Sequence, residues 1–166
     1  MPERKQRKHI RLQDYDYNRE GLYFVTICTK DRRGLLGKIS ESDTTNLRVS
    51  LSKYGEIVDR AVQAIPAHYD GVSEDKYVIM PNHIHLILLI EADDNSDSTQ
   101  AAHALLSTVI TALKRVTSKA AGFNLWQSSF YDHVIRNEED YQRIWDYIDT
   151  NPKKWVQDRF FTGHAE

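Results

Sequence analysis

Tyr77-Val78-Ile79-Met80-Pro81-Asn82-His83-Ile84-His85-Leu86-Ile87-Leu88-Leu89-Ile90 is the stretch from which the fold can be read. Its outer parts, Tyr77 to Met80 and His85 to Ile90, are β-branched or aliphatic and read as strands. Pro81-Asn82 between them is a turn signal, so the pair reads as an antiparallel hairpin. Side chains alternate faces along a strand, so His83 and His85 point one way and Ile84 the other. Two imidazoles so spaced on a rigid strand make half of a divalent-metal site. The plainer alternative is a pair of structural histidines. A third ligand has to come from elsewhere in the chain.

Outward from the hairpin, Leu22 to Thr29 predicts a first strand buried on both faces. Lys30 to Ser50 reads as an irregular excursion with a small strand near Leu47 to Leu51. Tyr54 to Ile65 is expected to be a helix, with Ile57, Val58, Ala61 and Ile65 on one face and Pro66 ending it. A longer helix is expected from Ala101 to about Ala121. Ala102, Leu105, Leu106, Val109, Ile110, Leu113 and Val116 form its apolar stripe and Gly122 its cap. Ser129 to Arg136 reads as a last strand, and Asn137-Glu138-Glu139-Asp140 as a helix start. That helix is expected to stop near Thr150, because Pro152 disfavours helical geometry at Asn151. The order is β-α-β-β-α-β, the pattern of a ferredoxin-like α+β sandwich, with an additional C-terminal helix.

The chain has 166 residues, a formal net charge of −2 and Cys28 as its one cysteine. That length suits a single domain over residues 21–166 behind a basic N-terminal arm over residues 1–20. A single cysteine excludes an internal disulfide and suits a reducing compartment. No apolar run approaches membrane-spanning length, and the basic N-terminus lacks the apolar segment of a signal peptide. Net charge does not advertise nucleic-acid binding, so any such footprint must be local. From Met1 to Gln13 there are five cations, Arg4, Lys5, Arg7, Lys8 and Arg11, against one glutamate. They read either as phosphate contacts or as a solvated tail. Lys114, Arg115 and Lys119 end the long helix, where they suit either the helix dipole or DNA.

In the last helix Tyr141, Ile144, Trp145 and Ile148 follow the spacing of a core stripe. Tyr147 lies off that stripe, about 110° from its centre at 100° per residue, and packing does not fully account for it. Asn151 follows one turn later on the same face. A tyrosine and an amide so placed can face the sheet surface bearing His83 and His85, or they can be a half-exposed tyrosine beside a C-terminal asparagine.

Taken together, five segments resemble the REP-associated tyrosine transposases, a branch of the one-tyrosine transposases of the HUH class. They are Gly21 to Thr29, Tyr54 to Val58, Tyr77 to His85, Trp126 to Asp140 and Tyr147 to Trp155, so the resemblance spans nearly the whole chain. It implies that the C-terminal helix carries the nucleophile, Tyr147, and that His83 and His85 bind a divalent metal with Asn151 as the third ligand. It further implies a metal-dependent single-strand DNA endonuclease and strand transferase working through a covalent 5′-phosphotyrosine. Its substrate would be single-stranded DNA carrying imperfect, REP-type hairpins, its cofactor Mg²⁺ or Mn²⁺, and its location the bacterial cytoplasm on nucleoid DNA. The protein would act as a monomer or a homodimer. The alternative is a domesticated hairpin-DNA-binding protein of the same fold that mobilises nothing. A ferredoxin-like RNA- or metal-binding domain with coincidental histidines is a third reading.

Overall fold

β1 (Leu22–Cys28) sets the layering, because its alternate side chains enter two different apolar clusters. The structure is a computed structural model that describes residues 21–39, 49–91 and 98–157. The arm cations Arg4, Lys5, Arg7, Lys8 and Arg11 lie outside the described residues. β1 is followed by β2 (Gly37–Ile39), β3 (Val49–Leu51), α1 (Lys53–Gln63) and α2 (Ile65–His68). Then come β4 (Val72–Met80), β5 (His83–Ile90), α3 (Ser98–Ala121), β6 (Tyr131–Ile135) and α4 (Glu138–Gln157).

Four strands form one antiparallel sheet in the order β4-β5-β1-β6, and β2 pairs separately with β3. This is the strand order of the ferredoxin-like sandwich expected from the sequence. Tyr23, Val25 and Ile27 of β1 join Ile84, Leu86, Leu88 and Ile90 of β5 on one face. That face is covered by α1 and α3 through Val58, Val62, Leu106, Val109 and Ile110. Leu22 and Phe24 join Ile87 and Ile135 on the other face, covered by Tyr141, Ile144 and Ile148 of α4. The period of two that decided the hairpin therefore also decides which helix each residue meets.

A β-bulge fixes α4 to the sheet. The β4–β5 register shifts between Glu74 and Lys76, which aims both Asp75 and Lys76 at α4. The Tyr141 hydroxyl donates to Asp75 Oδ2 at 2.6 Å, and Lys76 Nζ meets Asp149 Oδ1 at 3.1 Å while sitting 3.6 Å from the centre of the Trp145 ring. At the helix start the Asp140 amide donates to the Asn137 side chain at 2.7 Å, the expected cap.

Four expectations need correction. The first helix ends at Gln63, and Pro66 does not end it but lies in the first turn of α2, where its missing N–H costs nothing. Val116 is 53% exposed, while its neighbour Thr117 is fully buried and donates to the Leu113 carbonyl at 2.7 Å, so the C-terminal part of the α3 stripe is set by Thr117. The last strand is shorter than Ser129–Arg136, spanning Tyr131–Ile135. α4 does not stop near Thr150 but runs through Pro152 to Gln157. A proline inside a helix costs about 3 kcal/mol. Burial of Asn151 and Pro152 offsets it here, along with the packing of Trp155 on His83.

Candidate active site

The sheet register assembles the site row by row on the face covered by α4. His85 pairs with Val78 of β4 and with Thr26 of β1, and Thr26 pairs with Tyr131 of β6. His83 pairs with Met80 on one side and Cys28 on the other. The two imidazole centres lie 4.5 Å apart. Across them lies a ridge of α4 residues four apart: Arg143, Tyr147, Asn151 and Trp155. The Tyr147 ring is 5.2 Å from the His85 ring, the Trp155 ring is 5.8 Å from the His83 ring, and the Asn151 side chain hydrogen-bonds His83. The structure thus brings His83, His85, Tyr147 and Asn151 together within one chain. It also places Tyr141 in the core, fully buried, and leaves Tyr147 39% exposed, as the helical spacing requires.

Both histidines are held at Nδ1. His83 Nδ1 lies 2.7 Å from Asn82 Oδ1. An amide oxygen only accepts, so Nδ1 carries the proton and Nε2 keeps its lone pair. His85 Nδ1 lies 2.8 Å from the Thr26 hydroxyl, and His85 Nε2 is buried with no hydrogen-bond partner. When the Thr26 hydroxyl accepts, that nitrogen too presents a bare lone pair. Burial pushes the His83 ring down to about 4, against the Asn151 bond and with help from the Arg32 charge. Burial, with the neighbouring His83, pushes His85 down to about 3. Both rings are therefore neutral at pH 7, the form that ligates a metal. An unpartnered nitrogen in a buried ring normally costs stability. His85 is therefore not a fully satisfied core residue, and its Nε2 is a candidate metal donor. Among the described residues no cluster of three or more His, Cys, Asp or Glu side chains could hold a metal, so the candidate donors at this site are the two imidazoles and the Asn151 amide.

The site opens into a cleft of about 890 Å³. Phe24 forms its floor, stacked 5.3 Å from His85 and edge-on to Tyr147 at 6.1 Å. Four groups that the sequence reading did not single out, Arg32, His133, Arg143 and Lys154, line it. Lys154 lies 5.2 Å from the centre of the Tyr147 ring. Arg32 is presented by a strained turn, in which Asp31 and Arg32 have φ of 56° and 51°. Buried Thr29 ties that turn to the hairpin, donating to the carbonyls of Arg33 at 2.8 Å and Asn82 at 3.0 Å. Leu36 adds a backbone bond to the Pro81 carbonyl at 2.9 Å. Asp140 holds both His133 and Arg143 on the opposite wall, and these two partners lower its carboxyl against its partial burial. Lys114, Arg115 and Lys119 sit elsewhere, on α3, which covers the far face of the sheet. No helix among the described residues is long and apolar enough to cross a membrane.

Comparison with known proteins gives a coherent set. No protein-family model matches the chain. An uncharacterized protein of Haemophilus influenzae is 36% identical, with 93% of each chain covered. A REP-associated tyrosine transposase of Escherichia coli is 33% identical over 85% of this chain and 73% of that protein. Among solved structures, a REP-associated tyrosine transposase bound to a REP hairpin superposes with a TM-score of 0.58 at 22% identity, covering 84% of this chain and 72% of that one. This last likeness establishes the fold.

Proposed function

Because this chain belongs to the REP-associated tyrosine transposases, we propose that it cuts and rejoins single-stranded, hairpin-bearing DNA, with Tyr147 as nucleophile and a divalent metal on His83, His85 and Asn151. The observation that carries the reading is the meeting of an off-stripe, half-exposed tyrosine with a buried imidazole whose Nε2 has no protein partner. Hairpin DNA enters through the E. coli relative's family name and through the hairpin bound in the solved neighbour.

The chemistry follows from the residues. Rejoining a strand requires that the energy of the cut phosphodiester be kept, and a phosphotyrosine keeps it where hydrolysis would not. The Tyr147 oxygen attacks the phosphorus, its proton leaves to solvent or a nearby base, and the bond to the 3′-oxygen breaks, the departing oxygen taking a proton from solvent to become a 3′-OH. The same 3′-OH, or another, later attacks the phosphotyrosine and frees Tyr147. A free tyrosine hydroxyl has a pKa of about 10 and is a poor nucleophile at neutral pH. A bound Mg²⁺ or Mn²⁺ supplies Lewis-acid polarisation of the scissile phosphate. Imidazole donors favour Mn²⁺ of the two. Phe24 fixes the planes of His85 and Tyr147 relative to each other, so neither ring has to be ordered at the moment of reaction. Asn82 keeps the His83 proton on Nδ1, and the Thr26 hydroxyl, when it accepts, does the same for His85. Lys154, above the Tyr147 ring, adds positive potential where the attacking oxygen and the phosphate gather negative charge.

The test is incubation of the protein with labelled single-stranded hairpin DNA and Mn²⁺, followed by a denaturing gel. A protein–DNA adduct is expected from the wild type and from Tyr141→Phe, and none from Tyr147→Phe or in excess chelator. An adduct that survives Tyr147→Phe but vanishes in Tyr141→Phe would overturn the assignment.

A further inference from the structure

The cleft holds an aromatic side chain that neither the core nor the strand-cutting chemistry uses. Tyr131 opens the edge strand β6 and is 59% exposed, the most exposed large apolar or aromatic side chain among the described residues. It shares a cross-strand row with Thr26 and His85, which puts it two strands, roughly 10 Å, from the metal-ligand histidine. Its ring is anchored edge-on by Phe24 at 6.4 Å, the same Phe24 that touches His85 and Tyr147. Tyr131 lines the cleft. Two cations stand on the same walls. Arg143 is 72% exposed with one nitrogen held by Asp140, so the rest of its guanidinium fork is available, and Arg32 is held up by its strained turn. Against these stands the Asp146 carboxylate, which also lines the cleft. An exposed, pre-oriented aromatic ring between cations is the arrangement that grips a single nucleic-acid strand, the ring stacking a base and the cations meeting phosphates.

We propose that Tyr131 is the stacking platform of a nucleotide subsite, holding an unpaired base of the strand next to the phosphate that Tyr147 attacks, with Arg143 and Arg32 meeting the phosphates on either side. The inference rests on the reading of the cleft as a single-strand DNA site. It goes beyond that reading in naming where the strand runs, from the Tyr147–His85 centre outward over β6 towards the sheet edge. A duplex cannot use this platform, because its bases are already stacked on each other. The region around the scissile phosphate is therefore held unpaired, and the hairpin stem sits away from β6.

Stacking tolerates any base, so a generic probe suffices. The probe is a short single strand of thymidines carrying one 2-aminopurine, titrated by fluorescence in chelator so that no strand is cut. The wild type should quench the 2-aminopurine on binding. Tyr131→Phe keeps the ring and should bind within about 2-fold with the same quenching. Tyr131→Ala should bind about 5- to 100-fold more weakly and lose the quenching. Replacing the 2-aminopurine by an abasic site should weaken the wild type and leave Tyr131→Ala unchanged. Equal binding and quenching by wild type and Tyr131→Ala would overturn the proposal, as would loss of both in Tyr131→Phe or failure of the wild type to bind the strand. None of these readouts uses cleavage. Absence of a Tyr147 adduct would therefore defeat the strand-transfer reading alone, and Tyr131-independent binding and quenching the stacking subsite alone.

Discussion

The two faces of the one sheet are built to different rules. On the α1–α3 face every β5 residue is aliphatic, from Ile84 to Ile90, and all four are at most 2% exposed. On the α4 face the same strand reads His83, His85, Ile87, and only its C-terminal part meets an apolar cluster. The difference arises because two helices cover the first face from end to end, whereas one helix covers the second. α4 packs its apolar stripe, Tyr141 to Ile148, over the end of the sheet bearing Leu22, Phe24 and Ile87. Its later turns carry Tyr147, Asn151 and Trp155 over the end bearing the histidines. The fully covered face is packed for stability, and the half-covered face carries the candidate site. The orphaned His85 Nε2, the strained Asp31–Arg32 turn and the helical proline all lie on or beside the half-covered face.

Substitutions should separate the two faces sharply. The largest effect is expected from His83→Ala combined with His85→Ala. The Mn²⁺-dependent adduct should fall below detection, a loss greater than about 100-fold, because removing metal ligands removes the polarising cation. Stability should fall by no more than about 1–2 kcal/mol, since the deleted rings include a buried nitrogen that nothing satisfies. Adduct yield on gels and urea denaturation, read side by side, check both halves. A double variant that unfolds would make the histidines core residues and erase the contrast.

Trp126→Ala probes the other face. Trp126 is 1% exposed and donates from its indole to Thr117 at 2.8 Å, so truncation leaves a large cavity and takes from the Thr117 hydroxyl the donor it accepts from. A loss of about 3–5 kcal/mol is expected in the urea midpoint. The Tyr147 adduct formed below that midpoint should be unchanged per folded molecule. A selective loss of adduct with unchanged stability would mean that the α1–α3 face reaches the chemistry.

Tyr141→Phe falls between. It removes one hydroxyl, leaving the half-buried Asp75 without that donor, and should cost about 1–3 kcal/mol. The helix stays pinned by Lys76, through Asp149 and the Trp145 ring, so the adduct should persist. If adduct yield instead falls in step with the lost stability, the bulge at Asp75 positions Tyr147 as well as holding α4.

What the chain discloses before folding follows the same division. Period-two and period-3.6 patterns are local, so the sandwich order, the shared face of His83 and His85, and the off-stripe place of Tyr147 could all be read from short windows. Asn137 as the cap of α4 could be read for the same reason. Long-range partners could not. Thr26 meets His85 from 59 residues away and Thr29 meets Asn82 from 53, with no periodic signal to mark either. Trp155 and the last turns of α4 were hidden because Pro152 is a valid stop signal by propensity, and tertiary burial overrode it. The cations that line the cleft, Arg32, Arg143 and Lys154, are scattered singly along the chain, whereas the clustered Lys114, Arg115 and Lys119 are the ones that draw the eye. Clustering along the sequence is a poor guide to clustering in space when the sheet itself does the gathering.

The smallest effect expected, and the one that best sharpens the contrast, concerns Asp75. Burial against α4 raises its carboxyl above 3.8, and the Tyr141 bond and the Lys76 charge only partly counter it. The folded chain therefore holds the Asp75 proton more tightly than the unfolded chain does. Below pH 3.8 both states are protonated and the group contributes nothing to pH dependence. As pH rises through the folded value, the native carboxyl must ionise against its burial, and stability is lost across that window. Asp75→Asn keeps an oxygen to accept from Tyr141 but cannot ionise. Its stability relative to wild type should therefore climb from about pH 4 up to the folded value and then level off. Thermal melts of both proteins across that range, with Asp75→Ala as the variant that loses the acceptor altogether, provide the measurement. Parallel curves would show that Asp75 ionises without cost. The α4 face would then be wet at the bulge, and the helix would be held there by charge rather than by a buried hydrogen bond.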